Sequence, residues 1–216
     1  MLNEDVLKEF IFDCQLRKLS KRTISGYKNS NLRMMKFIKE EYGITELEET
    51  HHQAIKGYIG YMMEQGLSEV YINRNIINYR CYFKYCLAEG YINRNPMDKV
   101  NRQKEPIRLI EIFTDEEVVR LLKVFRGSRF LDMRNQFLMV LLFDTGMRNS
   151  ELCDLKVSDV KDTYIRIIGK SNKERYVPIT PAIKKSLIRY MRVRTEYIKD
   201  KILYQTEYLL LSQKGR

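Results

Sequence analysis

The chain has 216 residues, 44% of them hydrophobic and 15 of them Tyr, which suffices for one large core or two small ones and excludes a disordered polymer. Lys plus Arg number 39 against 28 Asp plus Glu, and a net charge of +11 points to a polyanionic partner. The longest apolar run, residues 137–143, falls far short of the ~20 residues a membrane helix needs, and the acidic opening MLNEDVLKEF lacks a signal-peptide layout, so a cytoplasmic protein is expected.

The first half reads as four helices. Residues 3–16 and 20–41 are amphipathic, and in the second Ile24, Tyr27, Met34, Met35 and Ile38 approximate one apolar stripe behind a cap at Ser20. After Gly43 a third helix is predicted over 50–65 and a fourth over 68–89, where Ile72, Ile76, Tyr79, Phe83 and Leu87 recur at helical spacing. Gly90 and Asn95-Pro96 end that helix, and polar residues from 98 onward read as a linker. The expected division is a helical domain over 1–100, a linker over 101–111 and a second domain over 112–216.

The second half opens on a capping box, Thr114 to Glu117, before a helix reaching Phe125. FLMVLLF, residues 137–143, is apolar on all sides and predicts a buried helix stopped at Gly146. A short helix over NSELCDL follows, then a hairpin from Tyr164–Ile168 through GKSNK to Arg175–Ile179. Thr180-Pro181 starts a helix that is basic along Lys184, Lys185, Arg189, Arg192 and Arg194. The stretch at 206–216 reads as one apolar strand with a basic tail. The fold class is therefore mainly α with a small antiparallel hairpin, in two domains.

Charge is not spread evenly. Residues 161–216 carry fourteen basic and five acidic side chains, and Cys14 to Lys39 holds eight basic residues and no acid. Two separated basic surfaces suit a clamp on nucleic acid, because each phosphate neutralised releases counterions and adds sequence-indifferent affinity. In the N-terminal domain Lys21, Lys28 and Lys36, with Arg74, Arg80 and Lys84, lie opposite apolar stripes and are candidate DNA contacts. Asn73, Asn75 and Asn78 could reach adenine edges, but solvated asparagines are the simpler reading. The four cysteines, Cys14, Cys81, Cys86 and Cys153, form no CxxC pair and read as reduced core thiols; with only His51 and His52 as histidines, no metal is implied.

The chemistry concentrates in TGMRNSELCDL, residues 145–155, and IIGKSNKERYVPI, residues 167–179. Arg148 follows a glycine turn, where a guanidinium with five fixed donors can clamp a phosphate or close a local ion pair. Glu151 stands at the i,i+3 spacing of such a pair. Lys170, beside Lys173 and Arg175, sits where a hairpin tip can press on a backbone or give a proton to a leaving oxygen.

Together these pieces resemble the catalytic domain of the tyrosine recombinases, the phage integrase family, while KRTISGYKNSNLRMMKFI and INRNIINYRCYFKYCLAEGYINRNP resemble its helical, SAM-like core-binding domain. The resemblance implies a clamp around double-stranded DNA and strand cleavage through a 3′-phosphotyrosyl link, without cofactor or metal. It implies Arg148 as the catalytic arginine, Lys170 as the general acid and Glu151 in support, with Lys173 and Arg175 on the DNA, and a nucleoid-associated location. The family's His-x-x-Arg segment and nucleophilic tyrosine have no match, and Tyr190, Tyr197, Tyr204 and Tyr208 read as packing residues, so a truncated, inactive catalytic domain is expected. Tetramers on paired sites are expected of the full-length family and a monomer of this chain. Two other readings stay open: a catalytically silent DNA-binding fragment occupying recombination sites, and a basic helical RNA-binding protein.

Overall fold

The computed structural model describes residues 1–107, 109–169, 172–199 and 207–212. The chain divides into two compact units, Met1–Leu109 and Ile110–Arg216.

The first unit is built from α1 (Asn3–Leu16), α2 (Lys21–Tyr42), α3 (His52–Glu64) and α4 (Glu69–Ala88), followed by a 3₁₀ turn at Pro96–Lys99. Their starts are set by side chains. Ser20 and Ser68 accept from the backbone N–H groups of Thr23 and Tyr71, and Asn95 accepts from Met97 at the head of the 3₁₀ turn. The α3 cap is His51, whose Nδ1 accepts from Ala54 N at 3.2 Å. A cap made by imidazole leaves no Ser/Thr/Asp/Asn signal, and this is why the predicted start lay two residues early. Gly43, at φ 68°, closes α2 in the left-handed region.

Helical periodicity brings Phe10, Met34, Ile38, Ile55, Met62, Ile72, Ile76, Tyr79, Tyr82 and Phe83 into one core. Phe10 touches Tyr27, Tyr82 and Tyr85 with ring centroids 5.3–5.6 Å apart, so aromatic edges and faces join α1, α2 and α4. Cys14 and Cys86 lie in this core and Cys81 at its edge, and burial pushes the Cys86 thiol up to about 12.

The three asparagines of α4 are neither solvated nor free for a base. Asn73 is buried; its Oδ1 accepts from Gln103 N at 2.8 Å, and its Nδ2 donates to Gln103 O at 2.9 Å and to Glu105 Oε1 at 2.7 Å. Asn75 is buried on Tyr71 O, and Asn78 donates to Ser30 Oγ. Arg80 is half-buried and donates to Val100 O at 2.6 Å, which withdraws it from the free basic face expected of it. With Met97 and Val100 in the core, these bonds bind the chain after α4 back onto that helix.

The second unit runs through α5 (Asp115–Val124), α6 (Phe130–Thr145), α7 (Asn149–Asp154), a 3₁₀ turn at Val157–Asp159, β1 (Tyr164–Ile168), β2 (Glu174–Pro178) and α8 (Pro181–Lys199). The Thr114–Glu117 capping box forms in both directions. β1 and β2 pair antiparallel with Ile167 opposite Arg175, and Ile165 and Ile167 point into the core. Asn172 takes φ 57° at the hairpin tip, a conformation Asn tolerates better than most residues.

The second unit departs from expectation in four places. In the apolar run of α6 only Phe137 and Leu141 are fully buried, because α5 and α8 cover part of the helix surface among the described residues. Among the described residues of the tail, 207–212, there is no strand: Tyr208 forms one isolated bridge to Lys156, and Leu209 and Leu211 are buried singly. Arg194, expected on the basic side of α8, is buried and donates to Leu209 O at 3.0 Å and Tyr208 O at 2.7 Å. Cys153 is exposed rather than a core thiol.

Asn73→Ala removes three hydrogen bonds from a buried position and should lower the first unit's stability by about 1–3 kcal/mol. It should also speed tryptic cleavage after Arg102 and Lys104 several-fold, measured by limited proteolysis under native conditions.

Candidate active site

Gly146, at φ 58°, ends α6 and turns the backbone through buried Met147 to Arg148, the N-cap of α7. An Arg side chain cannot accept a hydrogen bond, so the helix start is satisfied from within: Glu151 Oε2 accepts from Arg148 N at 2.9 Å. Glu151 Oε1 accepts from Arg148 Nη1 at 2.9 Å, closing the i,i+3 pair. From the hairpin, Arg175 Nη1 and Nη2 reach the two oxygens at 2.9 and 2.7 Å. The carboxylate, with its side chain 3% exposed, thus accepts four charge-assisted or capping bonds, about its full capacity.

The two guanidiniums differ in access. The Arg148 side chain is 73% exposed and that of Arg175 38%. Arg148 commits one of its Nη donors to Glu151 and presents the rest to solvent. Hydrogen bonds from Arg175, then from the Arg148 backbone, hold the Glu151 carboxyl at about 2, well below the usual carboxylate range.

A second carboxylate repeats the arrangement in the 3₁₀ turn that follows α7. Asp159, also buried, accepts from Lys156 N at 3.0 Å and from Arg166 Nε and Nη2 at 3.0 and 2.7 Å. Each strand of the hairpin is therefore stapled to the α7 segment by a guanidinium on a buried acid. Gly169 packs against the first staple: a Cβ there would stand 3.1 Å from Glu151 Oε1 and 3.4 Å from Lys173 O. Gly169 N donates to Lys173 O at 2.8 Å, closing the turn.

Lys170, the residue expected to act as general acid, lies outside the described residues. Lys173 is exposed. Arg175, expected to touch DNA, has its guanidinium committed to Glu151, a role that spacing alone did not reveal because 24 residues separate the partners. Of the four tyrosines expected to serve packing, Tyr190 is fully buried, stacks on Phe137 at 5.3 Å and donates to Leu209 O at 2.9 Å, and burial pushes its hydroxyl up to about 12. Tyr197 stacks on Phe130 at 3.9 Å, Tyr208 sits in the bridge to Lys156, and Tyr204 lies outside the described residues.

In the first unit Lys21, Lys28, Arg74 and Lys84 are exposed and enter no ion pair among the described residues, and Lys21 and Lys28, seven residues apart, share one face of α2. Lys36 is exposed and lies 3.8 Å from Glu40. α2 and α4 pack against each other, so these side chains decorate adjacent helices of one unit.

Residues 111–216 match the phage integrase family, and residues 7–90 match the phage integrase N-terminal SAM-like domain. The tyrosine recombinase XerC of Bacillus pumilus is 34% identical over 211 residues, covering 95% of this chain and 68% of that protein. The chain belongs to the phage integrase family of tyrosine recombinases. XerD of Staphylococcus haemolyticus is 28% identical over 217 residues, with 72% of its length covered. In fold, the chain matches a lambda integrase dimer bound to a COC′ core site (TM-score 0.71, 19% identity) over 100% of its own length and 59% of that chain, and a lambda integrase tetramer bound to a Holliday junction (TM-score 0.72, 19% identity) over 61%. The chain thus spans about two thirds of the Xer relatives and about three fifths of these lambda integrase chains.

Glu151→Gln should destabilise the second unit by about 2 kcal/mol at neutral pH. Glu151 has a folded value near 2, below ~4.3 in an unfolded chain. Its stabilisation is therefore complete above about pH 4.3 and is lost as pH falls toward 2. Thermal unfolding of the variant between pH 5 and 2 should be flatter with pH than that of the wild type.

Proposed function

We propose that this recombinase-family chain binds duplex DNA and holds one backbone phosphate at Arg148, as part of site-specific recombination. One observation carries the reading: a solvent-facing guanidinium seated on a buried, fully bonded carboxylate, in the segment that matches the integrase family. A preorganised donor of this kind stabilises the charge that builds on a phosphorus under attack without reorganising as it does so. Removing one such donor typically costs on the order of a hundredfold or more in rate.

In this reading Lys170 protonates the leaving 5′-oxygen and Glu151 acts from behind Arg148, touching no phosphate. Lys173, beside Lys170 on the hairpin, and Lys21, Lys28, Lys36, Arg74 and Lys84 on α2 and α4 contribute phosphate contacts that set register rather than read bases. Buried Tyr190 and stacked Tyr197 serve packing and neither attacks the phosphate held at Arg148. Cleavage through a phosphotyrosyl link, assembly on paired sites and a nucleoid-associated location belong to the same proposal. The second reading, a silent DNA-binding fragment, is favoured by that packing of Tyr190 and Tyr197.

Affinity for a generic duplex, measured by fluorescence anisotropy between about 50 and 200 mM salt, should fall steeply, and Arg148→Ala should reduce the log–log slope by about 0.9, the value of one lost phosphate contact. Structured RNA that competes as well as duplex would sink the DNA reading. A nicked suicide duplex resolved on a denaturing gel separates the two DNA readings, because any covalent adduct excludes the silent one.

A further inference from the structure

Arg148 and Arg175 share one carboxylate, and the sharing is unequal. Arg175 approaches Glu151 with two parallel N–H···O contacts, one to each oxygen, whereas the Arg148 guanidinium reaches only Oε1 and leaves Oε2 to its own backbone N–H. Bidentate pairing is the preferred geometry of a guanidinium with a carboxylate. Arg148 is denied it because both oxygens are already taken by the strand residue.

Charge follows geometry. Arg148 and Glu151 alone would form a neutral pair, with the guanidinium drawn inward onto both oxygens. With Arg175 present the three groups carry a net charge of +1, and the excess sits on Arg148, the more exposed guanidinium. A phosphate would then meet a cation whose local counter-ion is already neutralised from the other side. The ligature also fixes the hairpin: Arg175 lies opposite Ile167 in the strand pair, and Gly169 packs without a Cβ against the same carboxylate. Movement of the hairpin away from α7 would break both Arg175 contacts and return Glu151 to Arg148.

We propose that Arg175 is a positioning residue that acts only through Glu151: by saturating that carboxylate it leaves the charge of Arg148 unneutralised and outward-facing for a phosphate. The assignment rests on the reading that Arg148 binds a DNA phosphate. It departs from the expectation that Arg175 itself touches DNA, and the two make opposite predictions in a background where Glu151 is neutral.

The test is the salt dependence of binding to a generic duplex by the whole chain, in wild type, Arg148→Ala, Arg175→Met, Glu151→Gln and the double variant Glu151→Gln/Arg175→Met. Arg148→Ala should lower the log–log slope by about 0.9. Arg175→Met should lower it by the same amount, although Arg148 is intact, because Glu151 then neutralises that guanidinium. In the double variant the slope should return to the wild-type value, since an amide has no charge to set against Arg148.

A wild-type slope in folded Arg175→Met overturns the proposal. So does a slope that stays low in the double variant while Glu151→Gln alone is normal, because Arg175 would then be a phosphate contact in its own right. Should Arg175→Met fail to fold, as a buried carboxylate stripped of a partner can cause, the Glu151→Gln pair decides without it: equal slopes with and without Arg175 support the assignment, and unequal slopes overturn it. An unchanged slope in Arg148→Ala overturns the phosphate reading itself, and the role of Arg175 with it.

Discussion

A buried carboxylate that must be fully bonded organises the second unit. Glu151 is taken out of water at the start of a six-residue helix, and a bare charge there would be strongly unfavourable. Its position three residues after Arg148 supplies a backbone donor and one guanidinium; the remaining demand is met from β2 by Arg175. Asp159, in the 3₁₀ turn after α7, poses the same demand and is met from β1 by Arg166. A two-stranded hairpin has little stability of its own, so these two acids, with Ile165 and Ile167 in the core, decide where it lies.

The same constraint explains why an arginine can stay outward on a small domain without collapsing onto the nearest acid. Surface ion pairs between long side chains contribute little and exchange with water. Here the acid is immobile and its lone pairs are occupied, so Arg148 is oriented by one contact and left with donors to spare. Rigidity resides in the supporting carboxylate and the free donors in the exposed guanidinium, the division that the proposed phosphate contact would need.

The first unit solves a different problem with neutral groups. Asn73 offers Gln103 a donor and an acceptor in the pattern of a neighbouring strand, and Arg80 takes the carbonyl of Val100. The polar chain beyond the 3₁₀ turn is thereby held to α4 as far as Glu105. Exposed positive charge on this unit is left to side chains with no such duty, among them Lys21, Lys28, Arg74 and Lys84.

Much of the architecture was legible because its determinants are local. Ser20, Ser68 and the Thr114–Glu117 box start helices by bonding donors three residues away, Gly43 and Gly146 end them through φ, and the stripe from Ile72 to Phe83 follows from 3.6 residues per turn. The existence of the hairpin and the Arg148–Glu151 pair were within reach for the same reason, although β2 starts at Glu174, one residue before the expected position. What the linear pattern could not reveal were bonds between residues on different elements: Arg175 on Glu151, Arg166 on Asp159, Arg80 on Val100 and buried Arg194 on Leu209. A charged or amide side chain carries the same capacity to bond in water and in a core, and its spacing along a helix does not tell which it will use. Sequence therefore determined the helices, the hairpin and the family's arginine motif. Only tertiary packing decided which of the basic residues face solvent and which are already engaged in holding the fold together.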